Sequence, residues 1–283
     1  MGLEAVLMNR LFVTIVMYER SWQETSASPL LEKAVKNQQI QLLVYDNSPH
    51  SHDEPFFQHP LVSYFHDPAN PGLSKAYNKG FKSASSGDFD LLLLLDQDTE
   101  LTKAYLNFLM TETIGTEIGA VVPLIYSGTT QVSPVLADRY INRNLAYPAI
   151  GEQKQRIMAI NSGTAVTLAA IKKIGGFNDA FPLDFLDHWL FLRLHQEGFR
   201  FLIANQKLNH DLSVMHYKTM TRERYEQILT SESKFYRDFD KEKKKEHEKQ
   251  LFFRTIKQAL SPKMCRFSRR TWKEYLSFRK DHL

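Results

Sequence analysis

The sequence predicts an α/β protein with a Rossmann-like, mostly parallel central sheet flanked by helices, followed by a C-terminal helical extension. Three observations predict it. Short apolar runs with strand character alternate with segments of helical spacing through the first two-thirds of the chain. One run, "FDLLLLLD" (89–96), is apolar almost throughout, as in a strand covered on both faces of a parallel sheet. From about Met220 the pattern becomes helical and heavily charged.

The elements follow in order. "LFVTIVMY" (11–18) and "IQLLVYDNS" (40–48) read as buried strands that end in polar residues, and "SPLLEKAVKNQ" (28–38) between them has helical spacing, with Pro29 suited to a first turn. "LVSYFHD" (61–67) is a short strand. After the Gly72 turn, "SKAYNKGFKSAS" (74–85) reads as a helix with Ser74 as N-cap. Beyond the leucine strand come a helix over 102–114, strands over 118–125 and 156–160, and helices over 168–174 and 184–197. Residues 127–155 carry Gly, Pro and Ser without periodicity and predict loops or short edge strands. Pro262 divides the basic end into two helices. No internal repeat is evident.

Composition narrows the class. At 283 residues, with 43% apolar and 24% charged residues, the chain can bury a sizeable core. No apolar run approaches the ~18 residues that cross a bilayer. "MGLEAVLMNR" lacks the marks of a signal peptide. Cys265 stands alone and reads as incidental, so a reducing cytoplasm is the simplest compartment. Net charge is +4, unevenly spread. Residues 240–283 hold fourteen Lys/Arg against six Asp/Glu, a surplus of +8, which leaves −4 for the rest.

Open parallel sheets bind ligands at the carboxyl ends of their strands. Two predicted strand ends carry acid: Asp46, and the pair Asp96/Asp98. Residues two apart on an extended segment project to one side, so Asp96 and Asp98 converge. Hard carboxylate oxygens held together favour Mg²⁺ or Mn²⁺, which also coordinates phosphate.

The order of these segments, over roughly residues 10–215, resembles a family 2 glycosyltransferase of the GT-A fold. Asp46 in "VYDNS" resembles the acid that contacts the donor's pyrimidine. "NPGLSKAYNKG" (70–80), with Asn70, Gly72 and Asn78, is similar to the family segment that lies along the nucleotide. "LDQDT" resembles the metal-binding Asp-x-Asp, with Asp96 near the ribose and Asp98 on the metal. Its Asp-Gln-Asp form, through Gln97, looks like bacterial rhamnosyltransferases that use dTDP-L-rhamnose.

"INSGTAVTLAAIKKIGGFND" (160–179) resembles the family's Ser-Gly segment. There Ser162 and Gly163 would lie beside substrate, and Gly175/Gly176 would end a helix. "PLDFLDHWLFLRLHQEG" (182–198) is similar to the acceptor-side helix, which puts Asp187 at the catalytic base and Asp184 one turn earlier. Trp189 stands where many relatives carry a second acid, and reads either as a stacking platform for an acceptor sugar or as a core residue. His210 resembles the late histidine that completes the metal shell or touches the diphosphate; His216 is a weaker candidate. His50, His52, His59 and His66 read as surface residues.

The resemblance implies a catalytic domain over residues 1–218 and an extension over 219–283. It implies an inverting, metal-dependent transfer from a nucleotide sugar, dTDP-L-rhamnose favoured, to a glycan or lipid-linked glycan of a bacterial surface polysaccharide. The alternatives are a UDP-hexose donor, or a silent assembly subunit of the same fold. In the basic tail, helical spacing gathers Phe267, Tyr275 and Phe278. That face suits either an anionic membrane surface or packing on the catalytic body or a second subunit. No nucleic-acid recognition motif accompanies the charge. The location implied is cytoplasmic, or peripheral on the inner membrane face.

Overall fold

Every residue of Leu11–Met17 (β1) is buried, and a strand apolar on both faces belongs inside a covered sheet. The computed structural model, which describes residues 8–141, 145–210 and 220–280, places it there. β1 pairs in parallel with Ile40–Asp46 (β2) on one side and with Leu91–Asp96 (β4) on the other. Val62–His66 (β3) extends the parallel set beyond β2. Asp46 and Asp96 therefore end the two strands that flank β1, at the carboxyl edge of one sheet.

Beyond β4 the sheet becomes mixed. Ala165–Thr167 (β11) runs antiparallel between β4 and Ile118–Ser127 (β6), and β6 pairs in parallel with Arg200–His210 (β12). Thr99–Glu100 (β5) returns antiparallel to the far end of β12. Thr130–Ser133 (β7) and Gly151–Gln153 (β9) add to β6 and β12. Val135–Leu136 (β8) and Ile157–Met158 (β10) make a separate ribbon. The strand expected over 156–160 thus shrinks to two residues. β5 and β11 are too short to carry a periodic signal, and only their partners make them strands.

The helices begin where local chemistry stops the chain. Ser28–Lys36 (α1) carries Pro29 in its first turn. Leu73–Ser85 (α2) is capped by Gly72, and Ser74, expected as the cap, lies buried inside the helix. Gly72 adopts φ 96°, and a Cβ there would stand 2.3 Å from the carbonyl oxygen of Pro182. That carbonyl accepts the Leu73 N–H at 2.6 Å, so the cap ties α2 to the loop before the helix that starts at Leu186. Along α2, Ala76, Tyr77, Gly80 and Ala84 are buried at helical spacing. A Cβ on Gly80 would fall 2.0 Å from Thr14 Oγ1, which lets the helix press onto β1.

Lys103–Thr111 (α3) is capped by Thr102, and Leu168–Ile174 (α4) by Thr167, ending at a left-handed Gly175. Leu186–Gln196 (α5) starts two residues later than expected, because Phe185 is left-handed (φ 65°) and cannot continue a helix backwards. Asp184 therefore lies in the preceding turn and not on α5.

The chain divides into two compact units: residues 1–136 with 146–211, and residues 137–145 with 212–283. The second holds Arg222–Lys234 (α6), Lys244–Ala259 (α7) and Cys265–Lys280 (α8). Its core is aromatic and polar together. Tyr225 stacks on Phe267 at 4.4 Å, and its hydroxyl bonds Thr271 Oγ1 and Gln258 Nε2 at 2.6 and 2.8 Å. His247, fully buried, stacks on Tyr236 and meets the Tyr140 hydroxyl through Nδ1 at 3.0 Å. Phe267, Tyr275 and Phe278 are all buried. The apolar face read from the sequence is thus spent on internal packing. The expected boundary at residue 218, His216 and residues 1–7 lie outside the described residues.

Candidate active site

Asp96 is the last residue of β4, and the chain turns at Gln97–Asp98 before returning as β5. The two acids converge through this tight turn, not through strand alternation as the spacing suggested. The return pairs Thr99 with His210 at the end of β12. One ligand atom from each of Asp96, Asp98 and His210 lies within 4.8 Å of the others. Among the described residues this is the one such group of three.

A buried hydrogen-bond chain sets the cluster. Thr99 Oγ1 lies 2.8 Å from His210 Nδ1 and 2.5 Å from Ser162 Oγ, which accepts the Asp96 N–H at 2.7 Å. Thr99, Ser162 and His210 are buried. With Nδ1–H donating to Thr99, Nε2 keeps its lone pair, the tautomer metal-ligating histidines use. Asp98 Oδ1 is buried, without a hydrogen-bond partner, and 3.3 Å from His210 Nδ1. An orphaned carboxylate oxygen beside a second acid and an imidazole is costly unless a cation joins them. The donor set, two carboxylates and one imidazole, fits Mn²⁺ or Mg²⁺.

The electrostatics agree. Burial raises the Asp96 carboxyl to about 6; nearby His210 opposes that rise, and the charges of Asp98 and Asp187 add to it. Tyr77 is fully buried on α2 and donates to Asp96 Oδ1 at 3.1 Å. Its own ionisation is pushed up by burial and by the charges of Asp96, Asp187 and Asp98. Tyr77 therefore serves Asp96 as a fixed neutral donor.

Asp187 occupies the first turn of α5, where its Oδ1 accepts the His188 N–H at 2.8 Å. Burial raises its pKa, His188 opposes the rise, and Asp184 reinforces it. A half-buried carboxylate with a raised pKa is a better proton acceptor than an exposed one. Trp189 is 6% exposed, which favours the core reading over the platform.

The residues expected on the donor side divide. Asp46 has no exposed surface; Oδ1 accepts the Ser48 N–H, while Oδ2 faces the Tyr64 hydroxyl at 2.6 Å and His52 Nδ1 at 2.7 Å. Burial would raise its pKa, but these bonds outweigh burial and hold it below the usual carboxylate range. Asn78 gives both amide atoms to Phe177, its Oδ1 accepting the backbone N–H and its Nδ2 donating to the carbonyl, each at 2.8 Å. Gln97 does the same to Tyr18, at 2.8 and 3.1 Å. Asn70 is exposed with φ 45°. Gly163, at φ 89°, faces the side chains of Leu208 and Pro123 and donates its N–H to Leu94.

Tyr77, Thr99, Tyr64 and His52 escaped the sequence reading. Tyr77 carried a usable signal, since it falls on the buried stripe of α2 one residue before Asn78. His52, His59 and His66 correct the expectation of surface histidines: all three are half-buried, His59 Nδ1 accepts the Leu61 N–H at 3.2 Å and His66 Nε2 lies 2.8 Å from the Ser48 carbonyl, while His50 is exposed.

The family model "Glycosyl transferase family 2" matches residues 15–169, a span that contains Asp46, Asp96 and Asp98. No curated protein sequence matches significantly. Among solved structures, the chain is similar to GalNAc-T7 with UDP, GalNAc and Mn²⁺, at a TM-score of 0.60 and 12% identity over 97% of this chain and 55% of that one. It is also similar to the mannosyltransferase PcManGT from Pyrobaculum calidifontis with GDP-Man and Mn²⁺, at 0.55 and 12% over 81% of this chain and 65% of that one. The chain thus spans less than two-thirds of either structure, and the likeness is one of fold.

Proposed function

The chain belongs to glycosyl transferase family 2, and on that premise we propose that it is a metal-dependent, inverting glycosyltransferase that takes its sugar from a nucleotide-sugar donor. The observation that carries this reading is the buried, unpartnered Asp98 Oδ1, 3.3 Å from His210 Nδ1 and grouped with Asp96. A Mg²⁺ or Mn²⁺ bound by Asp98 and His210 would neutralise charge on a leaving diphosphate. The rest of the work falls to the chain. Asp96, bonded by Tyr77, stands at the ribose side. Asp187 takes the proton of the acceptor hydroxyl as its oxygen attacks the anomeric carbon and the bond to the diphosphate breaks.

The mixed sheet and the ligands named for the two matched structures, UDP or GDP-Man with Mn²⁺, support a nucleotide-sugar donor. The Asp-Gln-Asp form of 96–98 supports dTDP-L-rhamnose within that class, and the acceptor is a glycan or lipid-linked glycan of a bacterial surface polysaccharide. Incubating the purified chain with a panel of nucleotide sugars, with and without EDTA, tests both levels. Release of dTDP from dTDP-L-rhamnose alone, abolished by chelation, is the expected result. Release of UDP from a UDP-hexose would keep the enzyme class and replace the donor. Turnover that persists in EDTA would overturn the metal-dependent reading.

A further inference from the structure

Two features of the second unit coincide on one surface. Among the described residues, six of the twelve exposed large apolar side chains belong to α7, its C-cap Leu260 and α8: Phe252, Phe253, Ile256, Leu260, Trp272 and Leu276. Their spacing puts the first four on one stripe of α7 and the last two on one stripe of α8. Phe252 and Trp272, with ring centroids 6.4 Å apart, join the stripes across the helix pair. The exposure is substantial: Leu260 is 80% exposed and Phe253 60%. A contiguous apolar face of this kind is uncommon on a free surface.

The second feature is charge. Residues 249–280 hold ten Lys/Arg and a single acid, and that acid, Glu274, is buried against Arg270 at 2.7 Å. Lys249 and Lys257 lie one turn to either side of Phe253. Arg269, Lys273 and Lys280 lie within a turn of Trp272 or Leu276, and all five are exposed.

We infer that this face of α7 and α8 docks on an anionic lipid surface. Its aromatic and aliphatic side chains would sit at the headgroup boundary and its basic residues against lipid phosphate. The charge decides against a second copy as occupant, since two such faces would set the exposed Lys249, Lys257, Arg269, Lys273 and Lys280 of one copy against those of the other. Ile256, Leu260 and Leu276 would have no part in binding a nucleic acid. No helix among the described residues is long and apolar enough to cross a membrane, so the contact is one of surface docking. It uses residues different from the buried Phe267, Tyr275 and Phe278, and it does not depend on the donor reading.

Co-sedimentation of the full chain with phosphatidylcholine vesicles, with and without phosphatidylglycerol, tests it at low and high salt. The chain should pellet with the anionic vesicles, and salt should weaken the binding. The F253E/L260E double variant should lose affinity by about tenfold or more, with an unchanged thermal midpoint because both positions are exposed. K249Q/K273Q should lose about tenfold. Failure of the wild type to pellet with anionic vesicles overturns the inference, as does a double variant that pellets like the wild type. A wild-type dimer in light scattering that F253E/L260E makes monomeric, without vesicle binding, would assign the face to a second copy and also overturn it.

Discussion

His52 Nδ1 lies 2.7 Å from Oδ2 of Asp46, a carboxylate without exposed surface at the end of β2. The acid that family resemblance places on the donor base is thus enclosed, and a half-buried imidazole bonds it. With Nδ1–H donating to Asp46, Nε2 becomes an acceptor, complementary to the N3–H of a pyrimidine.

His52→Ala is therefore expected to weaken dTDP or UDP binding by roughly fivefold to tenfold, the worth of one hydrogen bond, with little loss of stability. Asp46→Asn removes the acceptor for Tyr64 and His52 and should cost about 1–3 kcal/mol of stability. Isothermal titration and chemical denaturation separate the two effects. Unchanged nucleotide affinity in His52→Ala would remove the histidine from the donor site.

Gln97 braces Tyr18 through both amide atoms, which gives the Asp-Gln-Asp motif an architectural duty. Gln97→Ala should lower stability by about 1–2 kcal/mol and weaken metal binding, since the Asp96–Asp98 turn loses its clamp. The ranking of donor sugars should stay the same. A change of preferred sugar would make Gln97 a selector instead of a brace.

Asp98→Asn or His210→Ala should reduce Mn²⁺ affinity by about 100-fold or more, beyond what the loss of a supporting residue costs. Electron paramagnetic resonance of free Mn²⁺ during titration measures this without reference to turnover. Thr99→Val, which keeps shape but breaks the bond to His210 Nδ1, should cost about tenfold.

Asp187→Asn should lower kcat by about 10²–10⁴-fold, the usual worth of a general base, while leaving donor and Mn²⁺ affinity intact. Wild-type turnover in this variant would sink the assignment.

In the second unit, burial holds the His247 imidazole at about 4, below its usual 6.5. Glu232, Arg254, Glu274 and Arg237 act on it in opposite senses, and Tyr140 and Tyr236 contact it directly. Because the folded pKa is depressed, the unfolded chain binds a proton the folded chain lacks between pH 6.5 and 4. Stability should fall as pH drops through that window, by up to about 3 kcal/mol. His247→Gln should flatten the slope, as read by hydrogen exchange of the α7 amides at each pH. An equal slope in both proteins would show that other groups carry the dependence.

The sequence by itself determined much of this protein. The long buried strands, α1 to α4, the acids at two strand ends and the break at Pro262 were all legible, because each rests on local periodicity, turn residues or runs of one chemical type. Resemblance then grouped Asp96, Asp98, Asp187 and His210. What only the tertiary structure decided is how side chains are used. Alternation placed Asp96 and Asp98 together for the wrong reason, since the 97–98 turn and the β5–β12 pairing bring them to His210. Asn78 and Gln97 looked like donor ligands by position, and only the fold shows that their amides clamp backbone 99 and 79 residues away. Phe267, Tyr275 and Phe278 shared a helical face, but whether that face was covered depended on α6 and α7. Local pattern fixes which side chains share a surface; long-range packing decides which surface remains open, and here that left Phe253 and Leu260 facing solvent.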